Sequence, residues 1–276
     1  MTPSRPRTWF ITGASRGLGR AFTEAALASG DRVVATARDV SPLHDLVTEH
    51  DDALTALPLD VSDRAVVLST MDEAATLLDG LDVVLNSAGQ FHYGMIEETT
   101  EHQARAHLDT NLFGALWVSQ AAVPHLRRRG GGHLLQVSSM GSVGGHASVG
   151  LYAAGKAALE AFTEALAMEV AQFGISVTVL NSGGYDTELF TRGTTATEPD
   201  PAYADLRTEL AALWSDGVQD DPARAAAVVR DIVDLPEPPT RIVLGSTSFD
   251  LVRDISRQRQ TELERWEELS RAAGIG

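Results

Sequence analysis

The chain has 276 residues, 43% of them hydrophobic, enough to bury the core of one α/β domain. Its 38 acidic and 22 basic residues give a formal charge of −16, which disfavours nucleic acid and anionic membranes as partners. Cysteine is absent, which removes disulfides, thiolate nucleophiles and thiolate metal sites.

Residues 8–12 read as a strand running into Gly13, residues 18–29 as a helix stopped by Gly30, and RVVATA as a second strand. The alternation repeats with a helix near 41–49, a strand near 53–58, a helix over 63–78, the strand LDVVLNSAG, a long helix around 101–127 and the strand HLLQVSS. Residues 151–173 form a helical pattern ending at Gly174, followed by the strand SVTVLN. From Gly183 to about Asp221 the pattern is irregular but holds the amphipathic segment YADLRTELAALW, so residues 184–221 read as a loop and short helix covering a pocket. A helix at 222–234, the turn PEPP and the strand RIVLG follow. Residues 249–272 then form a helix whose apolar members are Phe249, Leu251, Val252, Ile255, Leu263, Trp266 and Leu269.

Strands joined by crossover helices predict one α/β domain over residues 1–276, a Rossmann-like, doubly wound fold with a seven-stranded parallel sheet flanked by helices. No apolar run approaches the ~20 residues needed to cross a bilayer, and the run before Gly13 is too short for a signal segment. The chain therefore reads as soluble and cytoplasmic.

Gly13, Gly17 and Gly19 follow a strand and open a helix, where glycine permits a tight turn and close approach of backbone amides to a phosphate. The spacing departs from GxGxxG, and by itself the trio also fits an ordinary βα turn. The second strand ends in Ala37-Arg38, where dinucleotide sites often carry an acidic residue. With Arg16 this makes two cations suited to a ribose 2′-phosphate, which favours NADP over NAD. The other reading makes them solvated surface residues, with Asp39 a partner for one of them. Asp60 follows the third strand, and Asn86, Ala88 and Gly89 follow the fourth, where a cofactor would cross an open sheet.

Tyr152 and Lys156 are four positions apart and share a helix face. An ammonium beside a phenol favours the phenolate, so Lys156 is expected to lower the Tyr152 pKa. Such a phenol can protonate a developing alkoxide or accept the proton in reverse, while Ser139 donates a hydrogen bond to the same oxygen. The lysine can also hold the nicotinamide ribose. Two readings of Asn111 stand open: it holds a water in this site, aided by a local helix distortion, or it is a satisfied polar residue of its helix. The sequence QVSSMG lacks the GxSxG elbow of a serine hydrolase, and the eight histidines form no metal motif, so no metal is expected. His92, His133 and His146 read as loop or surface residues, with His92 or His146 able to touch a substrate.

At these residues the chain resembles the short-chain dehydrogenase/reductase family over nearly its whole length. TGASRGLG at 12–19 is similar to the family's cofactor motif, LD at 59–60 to its adenine-site motif and NSAG at 86–89 to its NNAG. The resemblance implies a catalytic tetrad of Asn111, Ser139, Tyr152 and Lys156. It implies cofactor contacts from Gly13, Ser15, Arg16, Gly17, Leu18, Gly19, Arg38, Asp60, Val61, Asn86, Ala88, Gly89, Tyr152, Lys156, Gly183 and Thr187. It further implies hydride transfer between a nicotinamide and a carbonyl carbon, with NADP preferred, in a homodimer or homotetramer built on the long helices. One departure is that Ser182 stands where the family has proline, which frees an N–H and relaxes φ there.

Phe91, His92, Tyr93, Met140, Val149, Tyr185, Phe190 and Trp214 are candidates for a medium-sized apolar substrate pocket, some of them equally readable as core. These features together predict an NADPH-dependent carbonyl reductase, or secondary alcohol dehydrogenase, acting on a hydrophobic ketone or alcohol. The alternatives are an NADP-dependent epimerase or biosynthetic alcohol oxidase using the same site, and a non-catalytic NADP(H)-responsive binding protein.

Overall fold

The computed structural model describes residues 5–144, 146–214 and 219–274, of 213 and 214 the backbone alone. In chain order the elements are β1 (Thr8–Thr12), α1 (Gly17–Ala28), β2 (Arg32–Ala37), α2 (His44–Glu49), β3 (Leu54–Pro58), α3 (Arg64–Leu77), β4 (Val83–Asn86) and β5 (Phe91–Tyr93). They continue with α4 (Glu101–Leu108), α5 (Gly114–Arg129), β6 (Gly132–Ser139), α6 (Gly150–Val170), β7 (Ile175–Ser182), β8 (Thr194–Ala196), α7 (Ala204–Trp214), α8 (Pro222–Val233), β9 (Arg241–Leu244), α9 (Ser246–Arg265) and α10 (Glu267–Arg271).

Among the described residues, seven strands form one parallel sheet in the order β3-β2-β1-β4-β6-β7-β9. The chain builds outward from β1 through β2 and β3, then returns to place β4 on the other side of β1. Between β1 and β4 the crossovers change direction, which opens a crevice at the carboxyl ends of those strands.

Alternate residues of each strand enter different cores. Trp9, Ile11, Val33, Ala35 and Leu85 pack with Phe22 and Leu27 of α1 and Val229 and Ile232 of α8. Phe10, Val34 and Val84 pack on the other face with Met71 of α3 and Val118 and Leu126 of α5. Burial on both faces is why these strands read as continuous apolar runs rather than alternating ones.

Three elements differ from the sequence reading. The single helix expected over 101–127 is broken by a π-helical turn at Asp109–Phe113, with Asn111 at its centre. Within the expected cover, Thr194–Ala196 pairs in parallel with Phe91–Tyr93 to form a second, two-stranded sheet. Three-residue strands show no periodicity, so only the distant partner reveals them. The C-terminal helix begins at Ser246 and is interrupted at Trp266, and residues 256–274 are all exposed, Leu263 and Leu269 included. No helix among the described residues is long and apolar enough to cross a membrane.

Candidate active site

The turn after β1 is built so that only glycine fits. Gly13 and Gly17 have φ of +66° and +55°, in the left-handed region. A Cβ on Gly13 would lie 2.8 Å from Ala88 Cα, and one on Gly19 would lie 2.3 Å from the Gly13 carbonyl oxygen. Thr12 Oγ1 donates to Asn86 Oδ1 at 2.9 Å and accepts from the amides of Ser87 and Ala88, each at 3.1 Å. This hydroxyl therefore ties the ends of β1 and β4 together and shapes the floor of the crevice.

The crevice is a groove of about 1040 Å³ running from Arg38 and Asp60 to Asn111, Tyr152 and Lys156. At its outer end Arg38 is exposed. Asp39 accepts from the amide of Ser41 at 2.9 Å and from its hydroxyl at 2.5 Å, so the competitor foreseen for the arginines has another partner. Burial pushes the Asp60 carboxyl up, but two hydrogen bonds from Ser62 and the Arg38 charge hold it below the ordinary carboxylate range. Arg16 stands at the start of α1, 3.8 Å from Glu188 of the segment after β7.

At the inner end Tyr152 and Lys156 are both buried on α6. Lys156 Nζ donates to the carbonyl oxygen of Val137 at 2.9 Å and lies 6.0 Å from the centre of the Tyr152 ring. Burial lowers the Lys156 pKa to about 8, with the Glu160 charge acting the other way. The expected lowering of Tyr152 does not hold in this structure. Burial pushes the phenol up from its ordinary value, because a phenolate loses more solvation there than it gains, and the Ser139 hydroxyl beside it opposes this only in part.

Ser139 Oγ accepts from the Gly141 amide at 3.1 Å, which leaves its hydrogen to donate elsewhere. Asn111 Oδ1 accepts from the Gln90 amide at 3.2 Å, and its Nδ2 donates to the carbonyls of Gln90 and His107, each at 3.1 Å. A Cβ on Gly89 would stand 2.9 Å from Asn111 Oδ1 and 3.6 Å from Lys156 Nζ, so the glycine keeps this corner open.

A family model described as short chain dehydrogenase matches residues 7–198. The chain belongs to the short-chain dehydrogenase family. A short-chain dehydrogenase from Streptomyces avermitilis is similar at 37% identity and a TM-score of 0.91, over 98% of this chain and 100% of that one. An oxidoreductase of Botryotinia fuckeliana is 35% identical over 97% of this chain and 99% of its own length. An alcohol dehydrogenase from the archaeon Thermococcus sibiricus, solved with 5-hydroxy-NADP, is 25% identical with a TM-score of 0.74, covering 87% of this chain and 96% of that one.

Most residues singled out from the sequence of this short-chain dehydrogenase lie on the groove, including Ser15, Leu18, Val61, Ala88 and Thr187. Asn86 lies beneath the floor on Thr12, while Gly183 packs against Ser248 of α9 and Ser139 adjoins the groove behind Ser138. Of the substrate candidates, Phe91 stands edge-on to Tyr152 at 4.9 Å and to Phe190 at 5.1 Å between ring centres. Tyr185 and Val149 are buried, Tyr185 as part of the core under β7 and α8. The Trp214 side chain lies outside the described residues.

Two histidine readings are corrected. His92 and His133 are buried strand residues rather than loop or surface ones, His92 bonded through Nδ1 to Thr195 Oγ1 at 3.0 Å and His133 through Nε2 to Thr178 Oγ1 at 2.8 Å. Each hydroxyl partner comes from a strand that the histidine's own sequence neighbourhood does not disclose. His107 was not singled out, yet it is buried beside Asn111 and Tyr152, with burial lowering its pKa to about 4. Lys156 is the only lysine among 276 residues, the other 21 cationic side chains being arginine.

Proposed function

We propose that this oxidoreductase is an NADPH-dependent carbonyl reductase, reversible as a secondary alcohol dehydrogenase, whose substrate is a medium-sized hydrophobic ketone. The observation carrying this reading is one groove with a glycine-turn helix start and two arginines at one end and Tyr152 and Lys156 at the other, with the Ser139 hydroxyl bonded to Tyr152. The groove fits an extended dinucleotide: the turn leaves no room for any Cβ at Gly13 or Gly19, and the Gly89 corner is open toward Lys156.

In this reading the amides of the turn and α1 face the diphosphate, Arg16 and Arg38 take a 2′-phosphate, and Asp60 faces the adenine. When bound, the nicotinamide supplies or accepts the hydride. The protein's own work is on the substrate oxygen. Ser139 donates a hydrogen bond to it, and Tyr152 delivers a proton as negative charge grows there. A phenol held above its ordinary pKa is protonated at neutral pH, the state a reduction requires. Lys156, lowered to about 8, is close enough to neutrality to take up and return protons near physiological pH, which an arginine cannot do. Asn111 fixes the Gln90 backbone beside this path. Phe91 and Phe190 supply an apolar wall next to Tyr152.

The deciding experiment is oxidation of NADPH by the purified protein across aliphatic, aromatic and polycyclic ketones, beside NADH and with product identification. Turnover to a secondary alcohol, faster with NADPH, is the expected result. Tight NADPH binding with no alcohol formed from any class of ketone would overturn the reductase reading.

A further inference from the structure

Behind the reacting face a second polar cluster joins three strands to α6. Glu160 follows Lys156 by one helical turn and is buried. One of its carboxylate oxygens accepts from Ser138 Oγ and from Asn181 Nδ2, each at 2.5 Å, and the other accepts from Arg241 of β9. Asn181 Nδ2 also lies 3.1 Å from the carbonyl oxygen of Ser139 and 3.2 Å from Ser142 Oγ, and Asn181 Oδ1 accepts from Arg241 at 3.2 Å.

Three consecutive carbonyls at the end of β6 are each held by a side chain. Lys156 donates to Val137 at 2.9 Å, Ser182 to Ser138 at 2.8 Å and Asn181 to Ser139 at 3.1 Å. Ser182 is the residue standing in place of the family's proline, and its hydroxyl makes a bond that a proline side chain cannot. A buried carboxylate held by three donors is costly to disturb, since loss of one partner leaves a charge or a donor unmatched. The end of β6, from which Ser139 projects, therefore has little freedom to move.

We infer that Glu160 is a positioning residue of the reacting centre, fixing the end of β6 through Ser138 and Asn181 and setting a buried carboxylate one helical turn from Lys156. The inference rests on the oxidoreductase reading for its kinetic arm only. Around Lys156 stand Tyr152 and Glu160 of α6, His107 of α4, which burial keeps neutral at pH 7, and the Val137 carbonyl of β6. Around Glu160 stand Arg241 of β9, Ser138 of β6 and Asn181 of β7, with Glu164 of α6 sharing Arg241 at 2.5 Å. Removing the Glu160 charge leaves the lysine without a neighbour that favours its protonated form.

The single lysine makes the test direct. Protein grown with 13C-labelled lysine gives one lysine signal, whose shift against pH follows Lys156 without any turnover. Glu160→Gln keeps an acceptor for Ser138 and removes the charge, so the Lys156 midpoint should fall by about half a pH unit or more. Asn181→Ala keeps the charge and removes the Asn181 bonds to the Ser139 carbonyl and to Glu160, leaving that carbonyl with Ser142 Oγ at 2.8 Å. It should leave that midpoint in place while kcat on a ketone reduced by the wild type drops about tenfold, with KM and the pH profile unmoved.

An unchanged lysine midpoint in folded Glu160→Gln, or full kcat in Asn181→Ala, overturns the assignment. If Glu160→Gln does not fold, Glu160→Gln with Arg241→Met removes the guanidinium left unmatched and takes the same titration. Should the wild type reduce no ketone, the reductase reading falls while the lysine titration still decides the role of Glu160.

Discussion

The two ends of the groove carry the same sign of charge on different residues in different surroundings. At the outer end Arg16 and Arg38 face water, where a guanidinium is always charged and a neighbouring charge counts for little. At the inner end the only lysine of the chain is buried, with its pKa lowered to about 8. Binding needs a fixed charge and tolerates solvent. Moving a proton needs a group that can lose one, and burial brings a lysine into that range.

The largest effect is expected at the inner end. Tyr152→Phe keeps the ring packed against Phe91 but removes the hydroxyl. Ketone reduction should fall about a thousandfold, in the usual range for loss of a general acid, with NADPH affinity unchanged by titration. Reduction at the wild-type rate would remove Tyr152 as the acid.

Next in size is a stability effect. Folding lowers the Lys156 pKa from 10.5 to about 8, so between these values the unfolded chain binds more protons and wild-type stability rises with pH. Below about pH 8 the folded state carries the full cost of the buried ammonium. Lys156→Met removes it, a pH-dependent gain on the order of 3 kcal/mol at most. The difference in Tm between the variant and wild type should favour the variant most below pH 8 and shrink toward pH 10.5. A difference flat across that window would show that the lysine titrates normally.

The inner end was legible from Ser139, Tyr152 and Lys156 because they sit on a strand end and one helix face, both fixed by local pattern. The sheet was legible for a similar reason: doubly buried strands are apolar runs, and Gly30 and Gly174 close the helices before β2 and β7. What supports the site was not legible. Arg241 reaches Glu160 across 81 residues, His92 reaches Thr195 across 103, and β8 finds β5 over a similar span. Such pairs leave no periodicity in either segment. The raised Tyr152 phenol was misread because sequence shows that an ammonium is near but not how much water the fold removes.

A smaller effect is expected at the outer end. Arg38→Asp should weaken NADPH about tenfold while leaving NADH within about twofold, and Arg16→Ala should do less because Arg16 already faces Glu188. Parallel binding titrations with both nucleotides check this. Equal losses for NADPH and NADH would take Arg38 off the 2′-phosphate.

The smallest effect should come from Glu188, which lies along the groove 3.8 Å from Arg16 and 3.6 Å from Arg192. Both pairs are partly exposed, so neither contributes much to stability. Glu188 does place a negative charge beside a groove proposed to take an anionic dinucleotide. Glu188→Gln should therefore leave Tm unchanged and tighten NADPH by roughly twofold at low ionic strength, the gain vanishing at high salt as screening lengths contract. Weaker binding in the variant would mean that Glu188 orients Arg16 rather than competing for it. Burial would then not be what separates the two ends, because an exposed ion pair would be setting geometry there as the buried Glu160 cluster does at the inner end.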